Sequence, residues 1–285
     1  MTDLRCVVGG GWFLPPGSPY IDDIRAKYTC PNPQHGQAMS LRKKGKWVEV
    51  PDEKVYACHM IPLRHKWGLG LMVPRGIALE QEASVALHSV MSFPELSRAT
   101  DEPLCLAEGM SLRPYQQEAV DAVVDNYNGL VIAPCGAGKT MIGLGAMTKF
   151  NTRIVILVHT QDLAQQWKQR IEAQLRTRSG EVPNVTICGG GKRDDSGQIV
   201  IAMFQSLAKG RWEEVQEWGK QFGMCIVDEA HHVPANTFSK VMMSMPAKVR
   251  VGLTATPDRP DGLGVMLGWH FGKELFQITT KELIA

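Results

Sequence analysis

The feature that most constrains the fold is the octapeptide Ala133-Pro134-Cys135-Gly136-Ala137-Gly138-Lys139-Thr140, set between the apolar run Leu130-Val131-Ile132 and a helix-patterned stretch over residues 141–150. Strand, glycine-rich turn and helix in that order read as a phosphate cradle. The glycines let backbone N–H groups close around a polyphosphate, and the helix N-terminus adds a favourable dipole. Lys139 can reach the β- and γ-phosphates, and the Thr140 hydroxyl can hold Mg²⁺. Ala133 stands where the generic pattern has glycine. A plain glycine turn joining a strand to a helix is the alternative.

A second motif supplies what such a cradle lacks. Residues 223–227 form an apolar strand that ends in Asp228-Glu229-Ala230-His231. There Asp228 would hold Mg²⁺, directly or through water, while Glu229 would orient and deprotonate the water attacking the γ-phosphate. Two adjacent acids at a strand end can equally be a solvated turn. His231 and His232 are neighbours, so their side chains point in different directions, which argues against zinc. Residues 249–253 make another buried strand, ending in Thr254-Ala255-Thr256-Pro257.

Three further blocks stand in order around these: Leu112-Arg113-Pro114-Tyr115-Gln116 ahead of the cradle, Leu157-Val158-His159-Thr160-Gln161 running on to Trp167, and residues 201–207, which contain Gln205-Ser206. Together the six blocks resemble superfamily 2 DEAH-box helicases and translocases, in wording closest to the XPB-like group and its phage, UvsW-type relatives. The resemblance covers residues 112–285 and implies an α/β, RecA-like domain built on a parallel sheet. It implies that Arg113 and Gln116 contact adenine, that Gly136, Gly138, Lys139 and Thr140 bind ATP, and that Thr140 and Asp228 hold Mg²⁺. Lys139, Asp228, Glu229 and His231 would carry the chemistry, with His231, Thr254 and Thr256 coupling nucleotide state to strand binding. Thr160, Gln161, Gly189, Gly190, Gln205 and Ser206 would touch a sugar-phosphate backbone. Taken by themselves, the Gly189-Gly190-Gly191 run also reads as a flexible turn and Gln205-Ser206 as a helix cap.

The same resemblance implies a second RecA-like domain carrying an arginine finger, worth on the order of 10³ to 10⁵ in turnover. No Gln-x-x-Gly-Arg-x-x-Arg motif occurs in these 285 residues. The expectation is therefore the first motor domain of a DNA helicase or translocase, binding ATP well and hydrolysing it poorly without a partner chain or a missing segment. The alternatives are a non-catalytic subunit whose grip on nucleic acid is switched by ATP, and a small-molecule P-loop kinase. The strand-end motifs and the block at residues 157–167 argue against the kinase.

At 44% apolar and 21% charged residues, wholesale disorder is excluded and two domains can each bury a core. The division expected is an accessory, nucleic-acid-binding unit with its connector over residues 1–108 and the RecA-like domain over 109–285. No signal-peptide pattern or membrane-length apolar run is present, and seven scattered cysteines suit a reducing, intracellular compartment. Cys30, His35, Cys58 and His59 lack a Cys-x-x-Cys knuckle, which weakens a zinc reading.

Over residues 28–60 short strand-like runs alternate with Pro, Asn and Gly turns, which predicts a small β-rich or α+β unit. Residues 80–90 would be a helical connector and residues 94–109 a polar linker. Charge is uneven: residues 25–75 carry ten Lys or Arg against three Asp or Glu, and residues 76–130 carry two against nine. A basic face would meet a polyanion, and Trp47 and Trp67, beside Lys46 and Lys66, could stack on bases or anchor a core.

Overall fold

The computed structural model describes residues 11–14, 21–48, 50, 52–56, 58–62, 69–74, 102–189, 194–229, 231, 235–256 and 263–284. Trp67, Gly190, His232 and the expected connector at residues 80–90 lie outside them.

The N-terminal elements are β1 (Gly11–Leu14), α1 (Ile21–Lys27), β2 (Thr29–Pro31), α2 (Pro33–Lys43), β3 (Lys54–Tyr56), β4 (His59–Pro62) and β5 (Leu69–Pro74). β5 pairs antiparallel with both β1 and β4, and β2 pairs antiparallel with β3. The unit is thus α+β. The strand-like reading of residues 28–60 fails at α2, where Asn32 accepts the N–H of Gln34 at 3.1 Å and Pro33 opens the helix. An Asn cap followed by Pro is a helix start, and it outweighs the turn-forming residues around it. Ile24, Tyr28, Val55, Cys58 and Val73 make a small core that continues into Leu263 and Met266 of the larger unit. Tyr28 meets Trp269 there edge-on, with ring centroids 5.4 Å apart. Burial pushes the Cys58 thiol up to about 12. Among the described residues no group of three His, Cys, Asp or Glu is placed to hold a metal.

The larger unit begins at β6 (Leu104–Leu106) and continues through α3 (Pro114–Asn126), β7 (Asn128–Ile132), α4 (Lys139–Met147), β8 (Ile154–Val158), α5 (Gln161–Gln174), β9 (Leu175–Thr177), β10 (Val185–Cys188) and β11 (Ile199–Met203). After these come α6 (Phe204–Ala208), α7 (Trp212–Gly219), β12 (Met224–Asp228), α8 (Ala235–Met243), β13 (Val249–Thr254), α9 (Val265–Phe271), β14 (Glu274–Gln277) and α10 (Thr280–Ile284). Seven of the strands form one parallel sheet in the order β10-β11-β8-β12-β13-β7-β14.

Its strands read as nearly continuous apolar runs because both faces are covered. Alternate residues divide between two cores: Ile154, Ile156, Ile226 and Val251 pack with α3, α4 and α5, whereas Val155, Leu157, Cys225 and Val227 pack with α7, α8 and α9. Met242, Met243 and Met245 are fully buried filling, as polarisable, unbranched side chains allow. The expected linker at residues 94–109 is corrected in part. β6 pairs antiparallel with β9, and Leu104 enters the core of the large unit. No described helix is long and apolar enough to cross a membrane.

Parallel pairing sets the register that matters for function. Asp228 lies opposite Leu253, Thr254 opposite Ile132, and Met203 opposite Val158. The carboxyl ends of β7, β8, β11, β12 and β13 therefore lie along one edge, where open α/β sheets bind ligands.

Candidate active site

Strand, glycine turn and helix follow one another as the spacing predicts. β7 ends at Ile132, the loop turns through Gly136 (φ 85°) and Gly138 (φ 79°), and α4 starts at Lys139. Gly138 is required twice over, since its backbone is left-handed and a Cβ there would lie 2.6 Å from the Gln116 Nε2. Gln116 is buried, accepts the Arg113 N–H at 2.9 Å and donates to the Ala137 carbonyl at 3.1 Å. Tyr115 donates its hydroxyl to the same carbonyl at 2.7 Å. The expected adenine contact is thus joined by a second task, pinning the phosphate loop to the start of α3. Arg113 is exposed beside it.

Lys139 Nζ lies 3.1 Å from Glu229 Oε1 and donates to the Ala133 carbonyl at 3.2 Å. The Glu229 backbone is left-handed (φ 49°), uncommon for a residue with a side chain, and its N–H is held by the Leu253 carbonyl at 3.0 Å. Its other oxygen, Oε2, is buried without a hydrogen-bond partner, 3.3 Å from His231 Nδ1. His231 Nδ1 meets the Thr254 hydroxyl at 3.0 Å, and that hydroxyl donates to the Thr256 carbonyl at 2.7 Å. Lys139, Glu229, His231, Thr254 and Thr256 thus form one continuous polar chain running from the end of β7 across β12 and β13.

Asp228 is buried at the carboxyl end of β12, and its Oδ2 accepts the indole N–H of Trp167 at 2.8 Å. Burial pushes its carboxyl up to about 6; the Trp167 hydrogen bond opposes this, the Glu229 charge adds to it and Lys139 pulls it down. Trp167 is a site residue that carried no role in the sequence reading. It sits 61 residues from its partner, and its ring leaves no space beyond Gly143 of α4, where a Cβ would come within 2.7 Å. Its place in the block at residues 157–167 was the available signal.

The stability consequence of Asp228 has a definite sign. A carboxyl titrating near 3.9 in the unfolded chain and near 6 in the fold binds more protons when folded between those values. Stability therefore falls as pH rises from about 4 to about 6, and the full penalty persists above that. Asp228→Asn keeps an oxygen for the Trp167 indole, so without added Mg²⁺ the variant should be more stable than wild type at pH 7.5, by about 1–3 kcal/mol. Thermal melts at pH 7.5 and pH 4.5 check this: the gap should narrow to roughly a third at the lower pH, and equal melting temperatures at pH 7.5 would refute it.

The other expected contacts line the same edge. Thr160 is exposed and caps α5 by accepting the Leu163 N–H at 3.3 Å, with Gln161 exposed beside it. Gln205 and Ser206 are exposed at the start of α6, and Gln205 donates to the His159 carbonyl at 2.9 Å, which ties the ends of β8 and β11 together. Gly189 follows β10, its Cα so close to Met203 that a Cβ would lie 2.3 Å from that side chain.

The family described as type III restriction enzyme, res subunit, matches residues 109–259. The chain is 32% identical over 205 residues to the DNA 3'-5' translocase XPB2 of Sulfurisphaera tokodaii, covering 72% of this chain and 42% of that protein. It is 34% identical over 159 residues to the DNA 3'-5' helicase XPB of Mycobacterium tuberculosis, covering 54% and 28% respectively. The chain thus spans less than half the length of these relatives. In fold it resembles the crystal structure of the UvsW helicase from bacteriophage T4, with a TM-score of 0.59 at 18% identity over 90% of this chain and 92% of that one. With the glycine-rich turn, the acidic strand end and the seven-stranded parallel sheet in place, the chain belongs to the type III restriction enzyme res-subunit family and has an α/β fold like that of the UvsW helicase.

Proposed function

We propose that this chain is the ATP-binding first motor domain of a DNA helicase or translocase. The observation that carries the reading is the polar chain from Lys139 through Glu229 and His231 to Thr254, because it joins the phosphate cradle to the strand ends that would grip nucleic acid. Residues 109–285 are the RecA-like domain, and residues 1–108 an accessory nucleic-acid-binding unit. Lys139 and the backbone N–H groups between Gly136 and Thr140 take the phosphates. Gln116 keeps one amide hydrogen and one oxygen lone pair for adenine after its two described bonds.

A buried carboxylate at Asp228 and the Thr140 hydroxyl are hard oxygen donors of the kind Mg²⁺ takes. The buried Glu229 Oε2, 3.3 Å from His231 Nδ1 and held by no hydrogen bond, suits a residue that must accept a proton from water. Bound there, the ion would neutralise charge on the phosphates. Glu229 orients the attacking water and receives its proton, and His231 with Thr254 and Thr256 passes the change to the strand-contacting loops. Thr160, Gln161, Gly189, Gly190, Gln205 and Ser206 hold the sugar-phosphate backbone. A second RecA-like domain, from a partner chain or a further segment, supplies the arginine finger.

ATP hydrolysis by the purified chain, with and without single-stranded and forked DNA, tests this. Slow turnover that responds to DNA is the expected result. ATP binding indifferent to every nucleic acid tried would overturn the reading, since coupled sites must influence one another.

A further inference from the structure

We propose that Trp47, with the basic end of α2, is a stacking platform for an unpaired nucleotide in single-stranded nucleic acid. The proposal deepens the nucleic-acid reading above and rests on it. Trp47 is 90% exposed, by far the most exposed large aromatic among the described residues. It is not a frayed side chain. Gly45 (φ 74°) reverses the chain after α2, with its N–H on the Arg42 carbonyl at 2.9 Å, and the Lys46 N–H returns to the Leu41 carbonyl at 3.1 Å. The Arg42 Nε donates to the Val48 carbonyl at 2.9 Å, which holds its guanidinium 5.9 Å from the Trp47 ring centroid. One face of the indole is thereby backed by a cation.

The setting suits a polyanion. Arg42, Lys43, Lys44 and Lys46 are all exposed, and no carboxylate among the described residues pairs with Lys43, Lys44 or Lys46. A tryptophan that anchored a core would be buried, as Trp167 and Trp218 are. An aromatic face flanked by unpaired cations is the arrangement that binds a single strand, the base stacking on the ring and the phosphates meeting the charges. Stacking tolerates any base, so the platform confers no sequence preference.

The test measures binding of a labelled single-stranded oligonucleotide to the full chain by anisotropy, with wild type, Trp47→Ala and Trp47→Phe. Trp47→Ala should weaken binding roughly 5- to 100-fold, and Trp47→Phe should recover most of the loss. ATP affinity and the melting temperature should be unchanged in both. An oligonucleotide carrying abasic sites should bind wild type more weakly and leave little difference between wild type and Trp47→Ala. Replacing Lys43, Lys44 and Lys46 together by Gln should flatten the dependence of log affinity on log salt by about 2. If wild type binds the strand and Trp47→Ala binds it equally well, the platform is refuted while the motor reading stands. If wild type binds no oligonucleotide but binds anionic lipid vesicles or a protein, both fall.

Discussion

Lys139→Ala is expected to abolish useful ATP binding, weakening affinity by on the order of 100-fold or more, as charge-assisted hydrogen bonds to two phosphates are lost. The structure adds a second cost. In the wild type the Lys139 ammonium faces Glu229 at 3.1 Å, with the two side chains only 11% and 18% exposed. Truncation leaves that carboxylate next to Asp228 with no cation between them and the incoming polyphosphate. Two effects therefore act in one direction, the loss of an attraction and the unmasking of a repulsion. Calorimetric titration with ATP measures the sum, and a melt of the free protein separates misfolding from lost affinity. An alanine variant that binds ATP as well as wild type would show that the loop is a plain turn.

Glu229→Gln should do the reverse, keeping nucleotide while removing turnover. Loss of a positioned general base costs typically 10²- to 10⁴-fold. The amide also gives up the ion pair to Lys139, so the ammonium is freed for phosphate, and ATP affinity should hold or rise several-fold. Single-turnover hydrolysis and an ATP titration on the same preparation distinguish this pattern from that of Lys139→Ala. Hydrolysis at the wild-type rate would remove Glu229 from the mechanism and leave the accepted proton without an owner. The Gln variant also tests the left-handed backbone at residue 229, since Gln has the same backbone preference and should leave the loop where it is.

The motifs were legible because each is a run of neighbours in sequence. A glycine-rich turn between an apolar run and a helix, or an acidic pair closing an apolar strand, can be recognised where it stands. The strand before Thr254 was equally plain, since it shows one period throughout. Local pattern misled where two signals compete: α2 contains Gly36 and lies among turn-forming residues, yet the Asn32 cap with Pro33 at the first helical position makes it a helix. The strand Leu104–Leu106 looked like linker because three residues carry little periodicity, and only its partner Leu175–Thr177, some seventy positions away, makes it a strand.

Sequence alone determined the parts of the site: a glycine-rich turn between strand and helix, an acidic pair closing a strand and a parallel sheet to carry them, since these depend on residues within a few positions of one another. Tertiary structure alone decided how they meet. Lys139 against Glu229, Trp167 on Asp228 and Gln116 beneath Gly138 join residues 22 to 90 positions apart. Trp47, which the sequence left open between core and surface, was settled by burial. Such contacts depend on strand order and register, which arise from packing both faces of the whole sheet and leave no mark in the local spacing of apolar residues.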